Sequence, residues 1–312
     1  MRSPIYWLLS FSIILTLSAC GRAFGKETIP YVDLDQLIPL APPQENNILP
    51  LKVAIASIMS PQGSIESYTP LLDYISQELG RPVETTHSQT YSEVNELVRT
   101  GEVDLAFVCT SSYLVGEDQF GMQLLAAPQV NGEKNYQAAF IVLVDSDIQM
   151  IDDLRGKVFA FTDPISFTGR IYPTYILQEV GESPESFFER TFFTFSHDKA
   201  INAVANGIAD GASVDKLVLD FAITREPELV NKIRIIHLSE PFGMPPVVVG
   251  PQIRPQLFAT VQKILLDMHL TPEGQTALEA LDYDRFVIVS DSDYETAKAI
   301  QNTVQCCSTP QP

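Results

Sequence analysis

The run Val158-Phe159-Ala160-Phe161, the turn Asp163-Pro164-Ile165-Ser166-Phe167-Thr168-Gly169 and the segment from Tyr172 to Glu179 decide how this chain is read. The first run has the apolar, aromatic character of a strand, and the last has the spacing of a helix. A strand, a hydroxyl-rich turn and a helix offer an anion three things at once. These are free backbone N–H groups, the positive end of a helix, and side-chain hydroxyls as donors. None of them needs a Lys or Arg. The plainer reading is a capped helix start with Ser166 or Thr168 as N-cap. Hydroxyl caps are commoner than anion sites, so the turn alone does not choose between the two.

Working outward, strand and helix patterns alternate. Strands are expected at Leu51–Ile58, Val83–His87, Val103–Cys109, Leu124–Pro128 and Ala138–Val144, with helices at Thr69–Leu79 and Tyr91–Arg99. The rhythm restarts after Asp145. Ile151–Leu154 reads as a short helix and Val158–Phe161 as a strand, followed by a helix from Gly169 to Val180. Phe192–Phe195, Gly211–Val214 and Arg234–Leu238 are expected strands, separated by helices at Lys199–Asn206 and Asp215–Thr224. Helices near Pro255–Met268, Pro272–Leu281 and Asp293–Val304 close the chain. Apolar strands separated by helices of about ten residues indicate parallel βαβ units. The expected fold class is therefore α/β with two lobes. Residues 51–143 and 246–305 would form one lobe, residues 144–245 the other, and residues 306–312 a tail. The two crossings are placed near Val142–Ser146 and Phe242–Gly250. Ligands in such architectures sit between lobes, at the carboxyl ends of parallel strands.

Residues 1–19 read as a processing signal. Arg2 supplies the charge, and Tyr6 to Leu17 is an apolar run too short for a comfortable span. Leu17-Ser18-Ala19-Cys20 resembles the bacterial lipobox, which makes Cys20 the expected lipidated N-terminus of the mature chain. An ordinary secretory signal cut near Ala19 is the alternative. Residues 20–50 are rich in Pro and polar residues and read as a flexible tether. Lys and Arg number 20 against 39 Asp and Glu, a formal charge of −19. Such a surface repels nucleic acid and anionic membranes, which excludes nucleic acid as an expected partner. The three remaining cysteines, Cys109, Cys306 and Cys307, give no disulfide framework, and Cys109 reads as a buried thiol. The histidines lack metal-ligand spacing, and no Gly-X-Ser-X-Gly elbow, P-loop or Gly-X-Gly-X-X-Gly follows a strand. No metal, cofactor or enzymatic activity is expected.

Four further segments carry a family likeness. They are Tyr68-Thr69-Pro70-Leu71-Leu72-Asp73-Tyr74-Ile75-Ser76-Gln77-Glu78-Leu79-Gly80, then Gly101-Glu102-Val103-Asp104-Leu105-Ala106-Phe107 with Ser112-Tyr113, then Asp152-Asp153-Leu154-Arg155-Gly156-Lys157, and lastly Ser196-His197-Asp198-Lys199-Ala200 with Ala203 to Gly207 and Asp210. In this order and spacing, from about Leu51 to Phe286, the chain resembles the phosphonate- and phosphite-type periplasmic binding proteins of ABC importers. The resemblance implies a type II periplasmic-binding-protein fold, with two mostly parallel sheets flanked by helices and a two-strand hinge. It implies that Ser166, Thr168 and the Phe167 N–H hold an oxyanion, that Tyr91 and Tyr136 add phenol donors, and that His197 closes the site. Thr110 lies on the expected cleft floor, where Cys109-Thr110-Ser111-Ser112 replaces the family's commoner Gly-Pro-Ala-Ser. Asp215 is the remaining acid near the cleft. Where aminoalkyl-phosphonate binders carry an acid, this chain has Met244-Pro245-Pro246. Phe167 stands where the family often has a small hydroxyl residue. Both departures point to a small unsubstituted anion or a ligand with an apolar substituent.

The expected function is a lipid-anchored, monomeric substrate-binding protein on the periplasmic or extracellular face of the cytoplasmic membrane. It would capture a phosphonate, phosphite or phosphate-like anion by hinge closure and deliver it to ABC permease subunits. The alternatives are the same fold with a sulfonate, a heterocycle or another organic solute, and a ligand-sensing module for a membrane kinase.

Overall fold

β1 (Leu51–Ile55) is buried at four of its five positions, the pattern of a strand covered on both faces. A computed structural model describes residues 49–308. The lipidation motif at Cys20, the signal segment and nearly all of the tether lie outside the described residues. The chain continues through α1 (Pro61–Leu79), β2 (Val83–His87), α2 (Tyr91–Thr100), β3 (Leu105–Phe107), α3 (Thr110–Phe120), β4 (Gln123–Gln129), β5 (Asn135–Tyr136) and β6 (Ala138–Leu143). β7 (Val158–Phe161) leads to the turn, to α4 (Tyr172–Glu179) and to the single-turn α5 (Pro184–Phe187). Then come β8 (Arg190–Phe193), α6 (His197–Ala205), β9 (Gly211–Asp215), α7 (Lys216–Arg225), β10 (Ile233–Leu238), β11 (Phe242–Gly243) and β12 (Val247–Val249). The last elements are α8 (Pro255–Asp267), α9 (Pro272–Glu279), β13 (Arg285–Val287) and α10 (Glu295–Ser308).

Two large sheets result. Six strands run in the order β13-β4-β12-β3-β1-β2 and five in the order β10-β6-β9-β7-β8, while β11 and β5 pair by themselves. The two α/β halves expected from the sequence are present, with two corrections. Ala138–Leu143 does not belong to the first half: β6 pairs with β9 and β10 in the second sheet. The first crossing therefore lies at β5, where Tyr136 stands opposite Phe242 of the returning chain, and not at Val142–Ser146. The sheets are also mixed rather than mostly parallel, since four of their nine strand pairings are parallel. The reason is the crossing itself. A strand arriving from the other half needs no helical crossover and can pair antiparallel, as β12 does with both β3 and β4. α10, assigned from the sequence to the first lobe, packs against both α3 and α4 and so touches elements of both halves.

The turn after β7 is sterically tight. The Gly169 carbonyl accepts the Thr162 N–H at 3.3 Å, and a Cβ at Gly169 would fall 1.8 Å from Thr162 Oγ1. Only glycine fits there. Gly169→Ala should destabilise the protein by about 1–3 kcal/mol in urea unfolding, the usual range for overpacking. Adding Thr162→Ala should recover part of the loss, because it deletes the nearest colliding atom. A neutral Gly169→Ala would contradict this account of the turn.

Candidate functional site

Ser166 caps the helical segment: its Oγ accepts the Gly169 N–H at 3.1 Å. Of the two expected caps Ser166 is the one used. The segment opens with a turn of π-helical backbone, Phe167–Ile171, before α4 begins, and such wide turns recur at functional sites. The Phe167 and Thr168 N–H groups lie in this first turn, ahead of any helical carbonyl that could accept them. The Phe167 N–H faces the Cys109 thiol. The Phe167 ring packs at the second crossing. It is fully buried and stands edge-to-face on Phe242, 4.7 Å between centroids. An apolar ring at this position joins the buried cluster that also holds Tyr91 and Tyr136.

The first half contributes Tyr91 and Thr110. α2 is fixed by a capping box, in which Thr90 Oγ1 accepts the Glu93 N–H and Glu93 accepts the Thr90 N–H. That box places Tyr91 at the helix head, where its N–H donates to Asp163 Oδ2 of the second half at 3.0 Å. The other oxygen of Asp163 accepts the Ile165 N–H at 2.9 Å. The Tyr91 hydroxyl is buried and has no partner. Its pKa is raised well above the ordinary value, first by burial and then by Cys109, Asp163, Asp215 and Tyr136. Tyr136, held on β5 at the crossing, is raised likewise by burial, with Asp215 and Cys109 adding to it and the Thr110 hydroxyl opposing. Both phenols therefore keep their protons and remain donors. Thr110 spends its own proton on the Gly243 carbonyl at 2.9 Å. Near these groups in the chain, the buried hydroxyls of Ser112, Thr162 and Ser196 also lack partners. An unpaired buried hydroxyl costs about 1–3 kcal/mol, so a ligand oxygen that satisfied one would recover that cost.

The second half contributes His197 and Asp215. The His197 N–H donates to the Ile58 carbonyl at 2.9 Å, a bond between the halves. Its Nδ1 accepts the Asp215 N–H at 2.9 Å. The ring proton must then sit on Nε2, which lies 3.5 Å from Ser166 Oγ. Burial pushes the imidazole down to about 3, against a weaker pull from Asp198, so the ring is neutral at physiological pH. Asp215 Oδ1 accepts the Leu217 N–H at 2.8 Å and caps α7. Its carboxyl is pushed up to about 7, chiefly by burial. Thr168 is buried beside Ser166 and accepts the Ser213 hydroxyl on its carbonyl at 2.6 Å.

The structure thus gathers Tyr91, Thr110, Tyr136, Ser166, the Phe167 N–H, Thr168, His197 and Asp215 where the two halves meet. No cation is among them. Two partners escaped the sequence reading. Asp163 was quoted only as the start of the turn, and Cys109, whose thiol accepts the Ser112 N–H at 3.4 Å, caps a helix that the reading did not expect. The thiol is buried and free, as expected, and burial raises it to about 11.

His197 and Asp215 make opposite contributions to stability against pH. Below about 6.5 the unfolded histidine gains a proton that the native ring refuses, so its contribution is lost as pH falls toward about 3. The native Asp215 keeps a proton that the unfolded chain loses above 3.8, so its contribution is lost as pH rises toward about 7. Urea unfolding between pH 4 and 7 should therefore show Asp215→Asn gaining on wild type as pH rises. His197→Gln should gain on wild type as pH falls. Variant curves parallel to wild type would contradict the buried, uncharged state of either group.

Residues 53–294 match the model of the family described as ABC transporter, phosphonate, periplasmic substrate-binding protein. The chain is 27% identical over 246 residues to the phosphonates-binding periplasmic protein of Escherichia coli, covering 77% of this chain and 72% of that one. It is 32% identical over 223 residues to the phosphate-import protein PhnD of Mycolicibacterium smegmatis, covering 67% and 65% respectively. The fold is similar to that of PhnD1 from Prochlorococcus marinus, solved in complex with methylphosphonate, with a TM-score of 0.74 at 18% identity over 82% of this chain and 98% of that one. Paired strands and a two-strand crossing agree with that architecture, and the chain belongs to the phosphonate family of periplasmic substrate-binding proteins of ABC transporters.

Proposed function

We propose that this protein captures a small phosphorus oxyanion, a phosphonate or a close relative such as phosphite or phosphate, between its two halves and hands it to an ABC permease. The observation that carries the reading is the Tyr91 hydroxyl, buried without a partner at a place where only neutral donors converge. An oxyanion taken out of water needs its lone pairs occupied. Tyr91, Tyr136, Ser166, Thr168, the first-turn N–H groups and the neutral His197 can do so without a countercharge. That suits a chain whose formal charge is −19, because local dipoles, not net charge, hold the anion. The relatives named for phosphonates and for phosphate import support the same ligand class.

Three bonds between the halves fit a hinge-closing binder. Besides Tyr91 to Asp163 and His197 to Ile58, the Ser60 N–H donates to Asp198 Oδ1 at 2.9 Å. Bound ligand would stabilise this closed arrangement by contacting both halves. Delivery to a permease needs no covalent step and no metal or cofactor. In the reading proposed here the mature chain works as a monomer, held at the outer face of the cytoplasmic membrane by a lipid on Cys20.

Calorimetry with phosphate, phosphite and methylphosphonate tests the anion reading. Binding should appear with at least one of them. Tyr91→Phe should weaken it roughly tenfold or more, since a hydrogen bond to a charged group contributes about 1.5–3 kcal/mol. The same change should leave the melting temperature equal or higher, because it removes an unsatisfied hydroxyl. Ser166→Ala with Thr168→Ala should weaken binding further while the fold persists. Silence toward every phosphorus oxyanion would remove the reading.

A further inference from the structure

Beside the donor cluster lies a cavity of about 60 Å³. Its wall is mostly apolar and includes Ile58, Met59, Phe107, Val218 and Phe221, with Pro245 and Pro246 of the second crossing. It adjoins the anion site at two residues. Asp215 lines the cavity and also donates its N–H to His197. Ile58 lines the cavity and accepts the His197 main-chain N–H. A group bonded to an anion at Ser166 and His197 that extended past Asp215 would meet an apolar wall.

The polar resources of that wall are few. No Lys or Arg lines it, and Asp215 is its one acid. One Asp215 oxygen is already taken by the Leu217 N–H. Tyr68 and Tyr283, which also line it, hydrogen-bond to each other. An ammonium group entering here would give up its water for at most part of one carboxyl, a poor exchange. A hydrocarbon chain would lose nothing and gain burial. A water needs about 10–15 Å³, so a cavity of about 60 Å³ has room for about four to six, enough for a substituent of three or four carbons.

We propose that this cavity seats the apolar substituent of an organic phosphonate, making the protein selective for alkylphosphonates over aminoalkylphosphonates. The proposal rests on the anion reading above and adds the class of substituent.

Calorimetry with methylphosphonate, n-propylphosphonate and 2-aminoethylphosphonate separates the two levels. Each buried methylene should tighten binding about fourfold, so n-propylphosphonate should bind about fifteenfold more tightly than methylphosphonate. 2-Aminoethylphosphonate, nearly the same shape as the propyl compound, should bind more weakly than it. Phe221→Ala should reduce the propyl-to-methyl preference at least threefold, and Val218→Leu, which narrows the cavity, should reduce it independently. Methylphosphonate binding with no gain for the propyl compound would overturn the cavity proposal and leave the anion site standing. So would tighter binding of the aminoethyl compound than of the propyl one. Absence of binding by all three would overturn this proposal, and silence toward phosphate and phosphite as well would overturn the anion reading with it.

Discussion

The hydrogen bond from the Asp215 N–H to His197 Nδ1 sets the chemistry of the site. It ties the end of β9 to the head of α6 and leaves the imidazole one tautomer, with its proton on Nε2 facing Ser166. Burial then keeps that ring uncharged. The same strand end brings the Asp215 carboxyl to the border between the donor cluster and the apolar cavity. A histidine free to rotate or to protonate would make the site a pH-dependent cation. Fixed as it is, the ring is one more neutral donor among phenols, hydroxyls and backbone N–H groups.

Neutral donors fit the closing of two halves. Bringing a lysine or arginine out of water would carry a desolvation cost even with no ligand present. Hydroxyls and N–H groups cost far less to bury and discriminate by geometry, because each must point at a lone pair. The halves meet through backbone N–H groups at Tyr91, His197 and Ser60, two of which reach carboxylates and one a carbonyl. These bonds orient Tyr91 and His197 while leaving the Tyr91 hydroxyl and the Nε2–H for a guest. The aromatic packing of Phe167 on Phe242 joins the turn to the second crossing, so the hinge and the site are built from adjoining parts.

Much of this was legible in the sequence because it is local. The bounds of β7 were read as they stand, and the hydroxyl turn behind it does cap a helix. What was missed depends on distance along the chain or on unusual local chemistry. α3 went unseen because Ser111, Ser112 and Gly116 are poor helix formers and its N-cap is a cysteine thiol in place of a hydroxyl. α1 begins at Pro61, eight residues before its expected start at Thr69, since Pro70 lies inside the helix and prolines usually mark helix ends. The run Ala138–Leu143 is apolar throughout and would suit either sheet; only pairing with β9 assigns it to the second. Asp163 reaches Tyr91 across 72 residues, a contact that no local pattern contains. The packing of the Phe167 ring on Phe242 joins positions further apart still.

The central claim is that an oxyanion is held here by uncharged donors organised around a neutral His197. Nitrogen NMR of the histidine rings tests it most directly. The account predicts that His197 shows an unprotonated Nδ1 and a protonated Nε2, does not titrate between pH 8 and 5, and that its Nε2 signal alone among the four histidines moves strongly when methylphosphonate is added. A His197 that gains a proton near pH 6.5, or whose Nε2 is indifferent to the anion, would contradict it.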